Sequence, residues 1–320
     1  MQPGDCRRGL GLVGAVLLAM LSGIAAAPVE AQPALKLVID TDVGDDIDDA
    51  YALAWALSSP KLQVLGVTTA WGDTRLRDRM VRRLLATMQR PDVAVGHGLE
   101  TPSTTPFTQS AWAAGGADSP VPPDAVALTL DLIRRHPHEI TLVALAPLTN
   151  VAAMIDRDPA TFAKVRQVVL MGGSIERGYG NAGPAAEYNA AQAPGALAKL
   201  LASGVAVVMF PLDATQVRLD AATTARLVAA ARPTTIMLAT LTGQWRRGNA
   251  WGQTVPTLFD AVPIAWLVDP ALCPTRPMRL AVDAKGMTRA VAGKPNVAVC
   301  LASDAAGVVA HMARDLLAQG

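Results

Sequence analysis

Six aspartates stand within ten residues of this chain: Asp40, Asp42, Asp45, Asp46, Asp48 and Asp49. So many like charges repel one another at short range, and such a cluster is stable where a cation neutralises part of it. Carboxylates are hard oxygen ligands, which points to calcium or magnesium. A loop with several carboxylates and room for water suits calcium better. Zinc is a poor match, because no His or Cys pair stands at ligand spacing. An EF-hand fails as well: Gly44 falls one position early for its turn, and Tyr51 stands where the closing glutamate belongs. Capping a helix N-terminus employs one or two aspartates and leaves the others unexplained.

These aspartates need a scaffold that brings them to a ligand. They follow a short apolar run, Leu37-Val38-Ile39, and lead into a pattern in which Ala50, Leu53, Ala54 and Leu57 share one helical face. Further apolar runs at 62–69, 93–95, 140–145, 168–171 and 205–210 read as strands. Helical patterns separate them at 75–88, 124–135, 148–155 and 193–202. Helices fill much of 219–247 and again 260–268, and 278–302 reads as three short strands before a closing helix over 304–317. Strands without polar alternation, separated by helices, predict a single α/β domain of Rossmann-like form. Its sheet is open and mostly parallel, with helices on both faces. Right-handed crossovers place the strands' C-terminal ends on one edge, where ligands bind and where the aspartates lie. A Pro/Gly-rich stretch at 96–123 is too long for a plain connection and reads as a candidate lid.

The 320 residues carry 28 Lys+Arg against 27 Asp+Glu. A net charge near zero offers no general attraction to nucleic acid or to an anionic membrane, so a small neutral substrate fits best. Residues 1–31 have the build of a secretory signal peptide: Arg7-Arg8, an apolar run over 9–27, then small residues at two possible cleavage points. The expectation is an exported protein, periplasmic or secreted, whose catalytic domain is 32–320 and which keeps no stable membrane association after cleavage. Removing the signal leaves Cys273 and Cys300. An oxidising compartment permits a bridge between them, and spacing alone does not decide whether one forms.

The stretch DTDVGDDIDDAYAL, starting at Asp40, resembles the signature of the inosine–uridine-preferring nucleoside hydrolase family. Four later segments resemble that family in order: GVTTAWGD (66–73), LVALAPLTN (142–150), LMGG followed by Asn181 and Glu187-Tyr188-Asn189, and Leu258-Phe259-Asp260. The resemblance covers most of the mature chain. It implies a calcium-dependent hydrolase that cuts nucleosides into ribose and free base, as in nucleoside catabolism and salvage, and that assembles as a homo-oligomer. Position by position, it implies that Asp42, Asp49 and Asp260 ligate Ca2+ together with the main-chain carbonyl of Leu145. Asp48 and Asn189 then hold the ribose 2′- and 3′-hydroxyls, Asn181 and Glu187 the 5′ side and ring face, and Asp73 a sugar hydroxyl.

The chemistry so implied uses an attacking water beside the cation, with Asp42 as general base. Glu187 and its neighbours favour the positive charge that develops on the ribose. Activation of the leaving base is where the chain departs from the pattern. Phe259 stands where family members often carry His, and Ala113-Ala114-Gly115 falls near a second such position. His97 is a faint replacement, and Trp112, Trp245 and Trp251 are candidate stacking rings. Two other readings use the same residues. One is a non-catalytic nucleoside- or sugar-binding protein on this scaffold. The other is a magnesium-dependent phosphotransferase of the haloacid-dehalogenase type, which also opens on Asp-x-Asp; here Val43-Gly44-Asp45-Asp46 follows in place of its Gly-Thr.

Overall fold

The first strand lies in the middle of the sheet, and the rest of the chain is wound to either side of it. In the computed structural model the described residues are 33–118 and 123–318. The segment 1–31, read above as a signal, lies outside them. The strands are β1 (Leu35–Thr41), β2 (Leu62–Thr69), β3 (Ala94–Gly96), β4 (Thr141–Ala144), β5 (Gln167–Met171) and β6 (Val207–Phe210). A tail follows with β7 (Thr275–Met278), β8 (Leu280–Val282), β9 (Thr288–Ala290) and β10 (Val297–Cys300). Eight of them form one sheet in the order β3-β2-β1-β4-β5-β6-β10-β7. All its pairings are parallel except β10 with β7. The order reverses at β1, which pairs with β2 on one side and β4 on the other. At such a switch point the crossovers leave in opposite directions and open a crevice beyond the strand ends.

The strands lack polar alternation because both faces are covered. Leu37 and Ile39 of β1 join one apolar cluster, and Val38, pointing the opposite way, joins the other. Val143, Val169 and Val208 repeat the first assignment, and Leu142, Val168 and Val207 the second. Contacts group Ala34–Gly320 as one compact unit. No helix among the described residues is long and apolar enough to cross a membrane.

The three strands expected within 278–302 are β8, β9 and β10; β8 and β9 pair as a separate hairpin, and β7, which the sequence reading did not include, ends where that stretch begins. Within the long stretch after β3, residues 107–113 are fixed in place. Gln109 donates its backbone N–H to Gly44 O (3.1 Å) and its side-chain amide to Asp46 O (2.6 Å), and Thr108 Oγ1 donates to Asp45 O (2.7 Å). Gly44 adopts φ +125°, and a Cβ there would run into the Phe107 ring, so this close approach requires glycine. A short helix, Ser110–Ala113, follows.

The open question about the cysteines is answered by a disulfide between Cys273 and Cys300, which ties the end of β10 to the turn after the helix Ala261–Val268. Closing a loop of 27 residues in the unfolded chain stabilises the fold by about 3.5 kcal/mol.

Candidate active site

The aspartate run leaves β1 at Thr41 and enters the helix Asp48–Ser58, whose first turn contains Asp48 and Asp49. The partial positive charge of a helix N-terminus favours carboxylates there. The loop between is held by Arg77, from the helix Thr74–Thr87, which is 1% exposed. Its guanidinium donates to the carbonyls of Asp42, Val43 (3.0 Å) and Trp71 (2.8 Å), pairs with the Asp45 carboxylate at 2.8 Å, and lies 5.0 Å from the Phe107 ring centroid. Asp40 is spent on structure as well. It is fully buried and accepts from the Thr68 hydroxyl (2.6 Å) and the Asn150 amide (2.8 Å), and burial pushes its carboxyl up to about 6.

What remains of the run faces a cavity of about 420 Å³ at the C-terminal end of the sheet. Asp48, Asp49 and Asp260 each bring one carboxylate oxygen within 4.8 Å of the others. Asp260 immediately precedes the helix Ala261–Val268, and its N–H donates to Asp48 Oδ2 (3.2 Å). Thr41 donates its hydroxyl to Asp49 Oδ1. Asp42 lines the same cavity beside them. Burial first, and then the charge of neighbouring carboxylates, raises all four well above the ordinary carboxylate range. A buried group of this kind, all oxygen donors and all electrostatically uncomfortable, fits a hard divalent cation. The converging trio differs in one member from the set implied by the resemblance, with Asp48 in the place of Asp42. The reason is local: Asp48 and Asp49 are consecutive in one helical turn, and the Asp260 backbone is bonded to the former.

The opposite side of the cavity comes from the ends of β4 and β5. Leu145 follows β4, and its carbonyl accepts the Asn189 side-chain amide at 2.8 Å. Glu187 caps the short helix Tyr188–Gln192 and accepts N–H groups from Gly173 (2.8 Å), Asn189 (2.8 Å) and Ala190 (3.1 Å). Burial raises its carboxyl, and those three donors partly offset the effect. Asp42, Asp48, Asp49, Leu145, Glu187, Asn189 and Asp260 are thus brought together.

Two residues are not. Asp73 is exposed, caps the helix Thr74–Thr87 through Leu76 N–H (2.9 Å), and borders a separate outer hollow with Arg75 and Glu100. The backbone turns at Trp71 and Gly72, both with positive φ, and this aims the Asp73 side chain at its own helix. Asn181 is exposed at the end of the 3-10 turn Tyr179–Asn181, outside the cavity lining. No histidine lines the cavity. His97 sits near the Thr74 hydroxyl (3.4 Å) and Glu100 (3.7 Å), His136 beside Lys36, and His311 near Asp269. Among the tryptophans, Trp112 and Trp245 are core residues and Trp251 stands at the cavity rim. Tyr179 and Tyr188 complete the wall with Phe259. Sequence reasoning passed over both tyrosines, and the signal for them was their flanking of Asn181 and Glu187.

This geometry has known counterparts. Residues 37–310 match the family model for inosine-uridine preferring nucleoside hydrolases. The chain is 32% identical over 313 residues to the pyrimidine-specific ribonucleoside hydrolase RihA of Salmonella agona, covering 89% of this chain and 98% of that protein. It is 33% identical over 315 residues to RihA of Citrobacter koseri, with 89% and 97% covered. Among solved structures it resembles the plant nucleoside hydrolase PpNRh1, with a TM-score of 0.80 at 27% identity and 90% and 100% of the two chains covered. It also resembles a purine-preferring ribonucleoside hydrolase from Gardnerella vaginalis, with a TM-score of 0.75 at 25% identity and 88% and 98% covered. With the family matched from β1 into the last helix and the carboxylates gathered at the sheet's switch point, the chain belongs to the inosine–uridine preferring nucleoside hydrolase family and is an N-glycosyl hydrolase.

Proposed function

We propose that this enzyme hydrolyses ribonucleosides to ribose and free base in a calcium-dependent reaction at the cavity bounded by Asp42, Asp48, Asp49, Glu187, Asn189 and Asp260. The observation that carries the reading is the convergence of the buried Asp48, Asp49 and Asp260 carboxylates beside Asp42 and across from Glu187. Asp49 and Asp260 would hold the cation, with Asp42 and the Leu145 carbonyl completing the protein's share. A bound cation would neutralise this charge and make a nearby water more acidic.

The protein's own groups do the rest. Asp42 takes the proton of the attacking water. Asp48 accepts a ribose hydroxyl. Asn189 spends its amide N–H groups on the carbonyls of Leu145 and Met171, which leaves its Oδ1 to accept a second hydroxyl. Glu187, fixed by three backbone donors, presents negative charge to the oxocarbenium-like sugar. The buried floor excludes bulk water and strengthens each of these interactions.

Reducing-sugar release from purine and pyrimidine ribosides, with calcium and with a chelator, tests the reading. Calcium-restored release is expected. Folded protein that binds calcium and releases ribose from no riboside would favour the binding-protein reading instead. The panel must span both base classes, because the named relatives include pyrimidine-specific and purine-preferring enzymes. Export into an oxidising compartment is part of the same proposal, supported by the apolar leader and the Cys273–Cys300 bridge. Fractionation of cells producing the full chain checks it, and enzyme confined to the cytoplasm with residues 1–31 intact would reject it.

A further inference from the structure

The cavity has an acidic end and an aromatic end. A ribose held at the carboxylates, as proposed above, leaves its base against the wall formed by Tyr179, Tyr188, Phe259 and Trp251. No histidine reaches that wall, so the group that meets the leaving base must be sought among these rings.

The hydrogen bonds separate the candidates. The Tyr188 hydroxyl is engaged with Thr105 Oγ1 at 2.8 Å. Trp251 and Gln253 are exposed at the rim and carry no side-chain hydrogen bond among the described residues. Phe259 has no polar atom. Tyr179 is positioned on both sides: its ring meets Phe259 edge to face with centroids 6.4 Å apart, and its hydroxyl accepts the Tyr188 backbone N–H at 3.0 Å. That N–H occupies an acceptor site of the oxygen. The hydroxyl's own proton has no acceptor among the described residues and is available to a ligand.

We propose that Tyr179 hydrogen-bonds the departing base and, with Phe259 as the ring it leans on, does the work for which this cavity offers no histidine. This inference rests on the nucleoside reading of the site. As the C1′–N bond breaks, its electron pair passes to the base nitrogen, and the water oxygen adds to C1′ while Asp42 takes a proton. Negative charge then gathers on the base, and the Tyr179 O–H stabilises it at a ring nitrogen or carbonyl oxygen. Tyr179 donates a hydrogen bond and keeps its proton, and solvent supplies the proton that the free base finally carries. A phenol is un-ionised near neutral pH, and partial desolvation of this hydroxyl together with the nearby Glu187 carboxylate favours that state further, which suits a donor.

The test compares two leaving groups on Tyr179→Phe, which keeps the ring and its contact with Phe259. Inosine and uridine need help to depart, whereas the nitrophenolate of 4-nitrophenyl β-D-riboside does not. The expected result is a fall of about 30-fold or more in the ratio of nucleoside to nitrophenyl-riboside kcat/KM. An unchanged ratio would overturn the assignment, whether both rates hold or both fall together, the second outcome marking a role in shaping the loop. Parent enzyme that cleaves the nitrophenyl riboside but no nucleoside would also overturn it. Parent enzyme that cleaves neither would instead sink the nucleoside reading itself, before any variant is made.

Discussion

The two ends of the cavity are built by opposite means. At the acidic end, each carboxylate sits on or beside a strand end or a helix's first turn, almost fully buried, and its surroundings are wired by Arg77, Asn150 and backbone N–H groups. The aromatic end is assembled from the loop after β5 and the stretch before Asp260, where Tyr179 and Trp251 are 46% and 48% exposed. On the proposed reading, this difference divides the labour on the scaffold. Breaking a glycosidic bond needs charges whose positions do not drift, and a switch point in a parallel sheet supplies them. Choosing among bases needs a surface that can vary, and loops supply that.

The sharpest way to break this contrast is to remove one charge from the floor without altering its shape. Asp42→Asn keeps the volume and removes the proposed general base. A loss of at least about 10³-fold in kcat is expected, with riboside binding retained by calorimetry. Turnover within tenfold of the parent would remove Asp42 from its assigned role.

Arg77 tests whether the floor is rigid because it is wired. Arg77→Met leaves Asp45 as a buried charge without its partner. Stability should fall by about 3 kcal/mol, read as a lower denaturant midpoint at an unchanged slope. A midpoint equal to the parent's would mean that the loop is held by packing against Phe107 and Gln109 alone. At the other end, Trp251→Ala should raise KM about fivefold, the loss of one stacking contact, and leave the denaturant midpoint in place. A larger effect on stability than on KM would erase the distinction between the two ends.

The same contrast governs what could be read in the sequence. The floor was legible because its residues are consecutive. Six aspartates between an apolar run and a helical pattern announce a charged strand end, and the strand and helix order fixed which edge of the sheet it occupies. Arg77 was harder to see, since it is one of five arginines in the helix Thr74–Thr87 and only tertiary contacts single it out. A signal was present all the same: Arg77 falls on the helical face of Met80, Val81 and Leu84, where a charge must find a partner. Nothing local paired Cys273 with Cys300, because each approaches the other from a different element. The tyrosines of the wall belong to loops whose course depends on what they pack against, and no periodicity encodes that course.

Asp73 is where likeness of position and observed geometry part, and it yields the smallest effect. Its place in the GVTTAWGD segment implied contact with a sugar hydroxyl, yet its carboxylate accepts Leu76 N–H and it borders a hollow outside the cavity. A helix cap on an exposed turn contributes about 0.5–1 kcal/mol. Asp73→Ala should therefore lower the denaturant midpoint slightly and leave kcat and KM for any riboside within about twofold. Asp73→Asn, which can still accept from Leu76 N–H, should restore the midpoint. If Asp73→Ala instead raises KM tenfold while the midpoint holds, the turn at Trp71 and Gly72 must swing inward when ribose is bound. The fixed floor would then extend further toward the rim than the Asp73 cap alone implies.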